Sequence, residues 1–348
     1  MWSFVKIPFS WLYAAGVAIR HWLFDRHLLP SFHVDIPTIC VGNIAVGGTG
    51  KTPMTAYLVQ LLLANGYHPA VLSRGYKRKT RGFVLADSMS TTDTIGDEAM
   101  QMHRAFPDVP IAVCEHRVRG VHQLQRQVEH LDVIVLDDAM QHRTLRCGLT
   151  LLLTPYDRLY IDDHMLPWGS LRDLPSRALK ADAVVVTKCP DSMRPIDMRV
   201  VENRLRLPAY QQLHFTGITY APMEQEGTPL VLTGIAQPQY LFDHVREQYP
   251  HAELLAYPDH HAFTPKDIDE IMTKAKVFDF VLTTEKDYQR LRATSLVERL
   301  NAENKRLIAL PIRMRLISPQ TTFDKQILTY LRENSKCPTN HKSSIINK

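Results

Sequence analysis

The stretch Val41-Gly42-Asn43-Ile44-Ala45-Val46-Gly47-Gly48-Thr49-Gly50-Lys51-Thr52 sets three glycines around Thr49, directly ahead of a lysine and a hydroxyl. Glycines let successive backbone N–H groups converge on phosphate oxygens, and a following helix N-terminus adds its own attraction for anions. In such a loop Gly47, Gly48, Thr49 and Gly50 form the cradle, Lys51 reaches the β- and γ-phosphates, and Thr52 ligates Mg²⁺. The loop departs from the usual GxxxxGK pattern at its first glycine, where Ala45 stands. The complementary acidic group is expected at Val133-Ile134-Val135-Leu136-Asp137-Asp138, an apolar strand that ends in two carboxylates. Asp137 and Asp138 can hold Mg²⁺ directly or through water. The chemistry implied is the binding of ATP with Mg²⁺.

Such a loop works only between a strand and a helix. Thr38 to Val41 is β-rich, and Met54 to Ala64 carries a helical pattern. Val71–Ser73, Ile111–Val113, Val133–Leu136, Leu151–Leu153 and Ala183–Thr187 are further short apolar runs, with a helix at His122–Leu131. Continuous apolar strands alternating with helices predict an α/β fold of the P-loop type, a mostly parallel sheet covered by helices on both faces. After about residue 200 the texture changes: Leu230–Thr233 and Phe280–Thr283 flank a helical stretch at Tyr240–Gln248, which predicts a second, smaller α/β domain. The expected division is an N-terminal helix over 1–28, a P-loop domain over 29–200, the second domain over 201–333 and a disordered polar tail over 334–348.

Lys plus Arg number 41 against 36 Asp plus Glu, for a net charge of +5. That balance suits a phosphate-bearing ligand or an anionic membrane surface and is too weak to imply nucleic acid. The five cysteines are scattered without a CxxC pair and predict neither a disulfide framework nor a zinc site. Ile7 to Ile19 is apolar but ends at Arg20 and His21, short of the ~20 residues a membrane-spanning helix needs. Trp2, Phe4, Phe9, Trp11, Leu12, Trp22 and Phe24 predict an amphipathic helix lying in a membrane interface; the alternative is a helix packed on its own domain. Arg74, Lys77 and Arg78 belong to a run of five cations in eight residues, either a solvated loop or a contact with phosphate or headgroups. Asp97, following Thr94-Ile95-Gly96, reads by itself as the cap of a helix.

Taken with the loop, the motifs Ser73-Arg74-Gly75-Tyr76, Gly96-Asp97-Glu98, Asp137-Asp138 with Gln141-His142-Arg143, Leu166-Pro167 with Leu171-Arg172, Thr233-Gly234-Ile235-Ala236, Pro258-Asp259-His260-His261 and Thr284-Glu285-Lys286-Asp287 resemble the tetraacyldisaccharide 4'-kinase family. The resemblance implies transfer of the ATP γ-phosphoryl group to the 4'-hydroxyl of tetraacyldisaccharide 1-phosphate, which forms lipid IVA in lipid A biosynthesis. It implies Asp97 as the base, paired with His260 or His261, and Arg172 as a stabiliser of the transferred group. It also implies a lipid substrate, no obligate protein partner and peripheral attachment to the cytoplasmic face of the inner membrane. Ala139-Met140, Asp173 and Ala99 stand where the family has Gly-Phe, Glu and Pro, and a shorter carboxylate at 173 would shift any metal or nucleotide contact made there. The alternatives are another small-molecule P-loop kinase or synthetase, and a membrane-bound P-loop switch, whose signature lysine is replaced by Val46.

Overall fold

The structure, a computed structural model, describes residues 3–235, 237–259, 261–317 and 319–334. The expected disordered tail therefore lies outside the described residues beyond Asn334. The strands are β1 (Thr38–Gly42), β2 (Pro69–Ser73), β3 (Val84–Leu85), β4 (Ile111–Val113), β5 (Val133–Asp137), β6 (Leu149–Pro155) and β7 (Ala183–Thr187). They continue with β8 (Gln212–Tyr220), β9 (Pro229–Thr233), β10 (Glu253–Ala256), β11 (Phe280–Thr284), β12 (Leu307–Leu310) and β13 (Ile312–Leu316). The larger sheet has the order β13-β8-β7-β6-β1-β5-β2-β4-β3, and the smaller β10-β9-β11-β12. Pairing is parallel except at the two edges of the large sheet, where β3 runs against β4 and β13 against β8.

The central strands are buried on both faces, which is why they read as unbroken apolar runs. Along β1, Cys40 faces a core shared with Ile134, Leu136, Val121 and Leu124. Its neighbours Ile39 and Val41 face the opposite core, where the helix Lys51–Ala64 contributes Met54, Leu58 and Leu62. The C-terminal helix Gln320–Asn334 covers that same face with Phe323, Ile327 and Leu331. Its Tyr330 hydroxyl donates to the Thr38 carbonyl at 3.2 Å and fills the space over Gly148.

The second unit is smaller than expected. β8, β13 and the C-terminal helix all belong to the large sheet's body, so the β9–β12 sheet is an insertion between β8 and β13. The expected boundaries at 201 and 333 give way because β13 alternates Ile312, Met314 and Leu316 with two arginines, an edge-strand pattern that does not announce a return to the core. Inside the insertion, Leu230, Leu232 and Val281 pack on Ile268, Ile271 and Met272, while Val231 and Leu282 pack on Leu241 and Val245.

The N-terminal helix, Ser3–Asp25, packs on its own domain and keeps an exposed apolar side. One side docks on the large domain. The Ser10 hydroxyl donates to the Met165 carbonyl at 2.7 Å, Tyr13 to the Arg172 carbonyl at 3.0 Å and Arg20 to the Gln141 carbonyl at 2.9 Å. Buried His21 is fixed between Arg143, which donates to Nδ1 at 3.2 Å, and Asp173, which accepts from Nε2 at 2.5 Å. Arginine can only donate, so this network places the imidazole proton on Nε2. At about 3.6 residues per turn, Trp11, Leu12, Ile19 and Trp22 fall on the other side. They are exposed, Trp11 by 70% and Leu12 by 72%. No helix among the described residues is long and apolar enough to cross a membrane.

Two outcomes follow from this packing. Gly148→Ala would drive a Cβ into the Tyr330 hydroxyl, and overpacking of this kind costs about 1–3 kcal/mol. A urea midpoint should fall without a change in slope, with partial recovery when Tyr330→Phe is added. His142 lies half-buried near Arg117 and Arg74, and burial first, then those cations, push it down to about 4. The folded chain thus refuses a proton that the unfolded chain accepts below 6.5, the ordinary value. Stability from this residue is complete above pH 6.5 and is lost as the pH falls toward 4. Melting temperatures across that window should decline less steeply for His142→Gln.

Candidate active site

The site lies at the carboxyl ends of the parallel strands, where open α/β sheets leave a crevice. β1 delivers the chain into the loop, and the helix Lys51–Ala64 starts immediately after Gly50. Gly50 caps that helix with φ at 87°, a left-handed conformation that glycine adopts without a side-chain clash. The loop is braced from three sides. Buried Asn43 donates from its amide to the Thr49 hydroxyl at 2.8 Å, the Thr187 hydroxyl donates to the Thr49 carbonyl at 2.9 Å, and the Val46 N–H donates to the Ser170 carbonyl at 2.8 Å.

β5 ends beside it and supplies the two carboxylates. Asp138 takes a positive φ of 50° and accepts both arms of the Arg172 guanidinium, one at 3.0 Å. The Lys51 ammonium stands 3.8 Å from it. Burial pushes Asp138 up, but Lys51 and the Arg172 hydrogen bonds outweigh it and hold the carboxyl below its usual range. Asp137 is in the opposite situation. It is buried, and burial first, then the Glu98 carboxylate, push it up to about 7, with Lys51 opposing. Its Oδ1 is buried with no hydrogen-bond partner in the structure. A carboxylate oxygen so placed, with the Thr52 hydroxyl on the same cleft wall, offers the hard oxygen donors that suit Mg²⁺. No group of three or more His, Cys, Asp or Glu side chains among the described residues could hold a metal by itself.

These groups line a cleft of about 900 Å³ between the large sheet and the inserted unit. Arg74 and Glu98 lie on the large-sheet side, and Lys188 joins them from the end of β7. The inserted unit contributes Gln237, Asp259, Glu285 and Lys286. Lys286 pairs with Asp259 at 3.5 Å, and Gln101 donates to Glu285 at 3.2 Å across the cleft.

Asp97 opens the helix Asp97–Ala105 and is gripped by Arg290 of the inserted unit, whose Nε donates to it at 2.7 Å. Arg290 is in turn held by fully buried Asp287 at 3.1 Å. Asp287 also accepts from the Gly234 N–H at 2.9 Å and from the hydroxyls of Thr233 and Thr284. Thr284-Glu285-Lys286-Asp287 is therefore the joint that aims Arg290 at Asp97. His261 stacks on Tyr257, and its Nε2 is bonded to Asp267 at 3.0 Å. The structure thus brings Asp97 to Arg290 and His261 to Asp267. His260 lies outside the described residues.

The geometry supplies partners for three charged residues. Arg172, the candidate stabiliser of the transferred group, lines the cleft with its guanidinium bonded to Asp138 and to the Asn43 side chain. Arg78 was expected at a substrate or membrane surface, but its guanidinium is buried, donating to Glu115 at 2.7 Å and to the Gly82 carbonyl at 2.5 Å. The bonds fold the basic loop onto itself, leaving Arg74 and Lys77 exposed. Asp173, where a shorter carboxylate would shift any metal or nucleotide contact, is buried against His21 of the N-terminal helix. Asn43, Glu98, Lys188, Asp287 and Arg290 were not singled out. Four of them lie within or beside quoted motifs, whereas Lys188 carries no local signal beyond its place at a strand end.

The family described as LpxK, tetraacyldisaccharide-1-P 4'-kinase, matches residues 2–332. A tetraacyldisaccharide 4'-kinase of Flavobacterium johnsoniae is 43% identical over 343 residues, covering 95% of this chain and 97% of the relative. One of Bacteroides thetaiotaomicron is 41% identical and covers 96% of each chain. Among solved structures, LpxK from Aquifex aeolicus, crystallised in complex with ATP, superposes with a TM-score of 0.73 at 25% identity. It covers 95% of this chain and all of its own. Matched by the family over nearly its whole length and at least 41% identical to two such relatives, the chain belongs to the tetraacyldisaccharide 4'-kinase family.

Proposed function

We propose that this kinase moves the γ-phosphoryl group of ATP to the 4'-hydroxyl of tetraacyldisaccharide 1-phosphate while resting on the cytoplasmic face of the inner membrane. One observation carries the reading. The Arg172 segment fixes Asp138 through its side chain and accepts Tyr13 of the apolar N-terminal helix through its carbonyl. The surface suited to a lipid interface and the loop suited to phosphate therefore meet on one short segment.

In this reading Gly47, Gly48, Thr49 and Gly50 cradle the nucleotide phosphates and Lys51 neutralises their charge. Thr52, Asp137 and Asp138 would hold Mg²⁺, and Arg172 orients Asp138. When bound, the ion supplies neutralisation of charge on the phosphate oxygens. Asp97, held by the Arg290 guanidinium, accepts the proton of the 4'-hydroxyl as its oxygen attacks phosphorus and the bond to the departing ADP breaks. A histidine of the Asp259-His260-His261 turn assists it. Arg74 and Lys77 are exposed cations suited to the substrate 1-phosphate or to anionic headgroups.

A phosphoryl-transfer assay with labelled ATP, Mg²⁺ and tetraacyldisaccharide 1-phosphate in mixed micelles tests the chemistry. Lys51→Ala and Asp97→Ala should each lower labelled lipid by ~100-fold or more, the usual scale for lost charge stabilisation or proton transfer. ATP turnover without labelled lipid would move the acceptor elsewhere. Membrane contact has its own readout: sedimentation with vesicles rich in anionic lipid. Trp11→Ser, Leu12→Ser and Trp22→Ser combined should reduce the bound fraction several-fold while leaving the melting temperature in place. An unchanged fraction would clear the helix of that role.

A further inference from the structure

Lys188 follows β7 directly, and the hydroxyl of the residue before it is bonded to the Thr49 carbonyl at 2.9 Å. That bond seats Lys188 over the phosphate loop. Its ammonium stands 3.9 Å from where a Cβ on Gly48 would lie, and its backbone holds a positive φ of 56°. Non-glycine residues in that region are uncommon and gather at functional sites. The side chain is half-buried on the cleft wall, and burial pushes its pKa below the usual lysine value. Among the described residues its direct contacts carry no charge. The Gln237 side-chain carbonyl accepts a hydrogen bond from it, and the Tyr240 ring centre lies 5.6 Å away. The Asp157 carboxylate is taken by the Gln237 amide at 3.2 Å. An ammonium has three donors, so this one faces a phosphate loop with donors to spare, and the Asp157 carboxylate favours its charged form.

We propose that Lys188 is a second phosphate-binding cation of the cleft, whose ammonium leaves Gln237 for a phosphate oxygen of the nucleoside triphosphate held by the loop. The inference rests on the nucleotide reading above and extends it. Gln237 caps the helix Pro238–Gln248 of the inserted unit, so the exchange breaks a tie between that unit and the end of β7. Arrival of the triphosphate and release of Gln237 are then one event.

Calorimetric titration of the full chain with Mg-ATP tests this, comparing wild type with Lys188→Gln, Lys188→Arg and Gln237→Ala. Loss of a charge-assisted bond should weaken ATP binding by roughly tenfold or more in Lys188→Gln. Lys188→Arg should retain binding within a few-fold. Gln237→Ala, which removes the competitor, should bind ATP at least as tightly as wild type. Lys188→Met carries the same test where the glutamine variant does not fold. Equal ATP affinity for wild type and Lys188→Gln overturns the inference while leaving the nucleotide reading intact. So does a loss in Gln237→Ala as large as that in Lys188→Gln, because the contact between units would then be what matters. A wild type that fails to bind ATP removes both readings together.

Discussion

Asp138, Arg172, Asn43 and Thr49 form a single chain of hydrogen bonds, from the end of β5 through a guanidinium to the wall of the phosphate loop. A glycine-rich loop has little side-chain packing of its own, so its shape has to be imposed from outside. The planar fork of Arg172 does this at two points at once, which a flexible lysine at the same position could not. The carbonyl of the same residue carries the N-terminal helix. Loop, carboxylates and helix therefore share one anchor, and a change at residue 172 reaches all three.

The inserted unit is tied to the large domain by a second relay. Buried Asp287 gathers Thr233, Gly234, Thr284 and Arg290, and Arg290 crosses to Asp97. Removing one partner of such a buried pair leaves an uncompensated charge, which costs more than the pair itself contributes. The relay places Asp97 with a firmness that a helix-capping carboxylate would lack, and it explains an Asp in a motif with no evident chemistry of its own.

The strands that run straight through the core were readable in the sequence. β1, β5, β7, β9 and β11 are unbroken apolar runs because both of their faces are covered, and the residues that follow them build the cleft. β8 and β13 were not, since an edge pair half open to solvent carries mixed residues and its sheet is chosen by a partner about 90 positions away in sequence. The phosphate loop and Asp137-Asp138 were readable because their chemistry is local. The partners of Arg78, Asp173 and Arg172 were not readable for the converse reason: a charged side chain reads as exposed or reactive until folding supplies the group it bonds, here Glu115, His21 and Asp138. Lys188 and Arg290 have meaning only through folding, which brings them to residues far away in the chain.

The insertion of the β9–β12 sheet between β8 and β13 has a mechanical consequence. The chain enters and leaves that unit through two antiparallel neighbours, paired up to Tyr220 and Ile312, with the Ala221 N–H donating to the Pro311 carbonyl at 3.1 Å. Two strands zipped side by side cannot slide past one another without breaking the ladder bonds between them. The inserted unit is thus held by a double-stranded strap, which keeps the wall it carries, with Gln237, Asp259 and Lys286, in register with the strands that end at the phosphate loop.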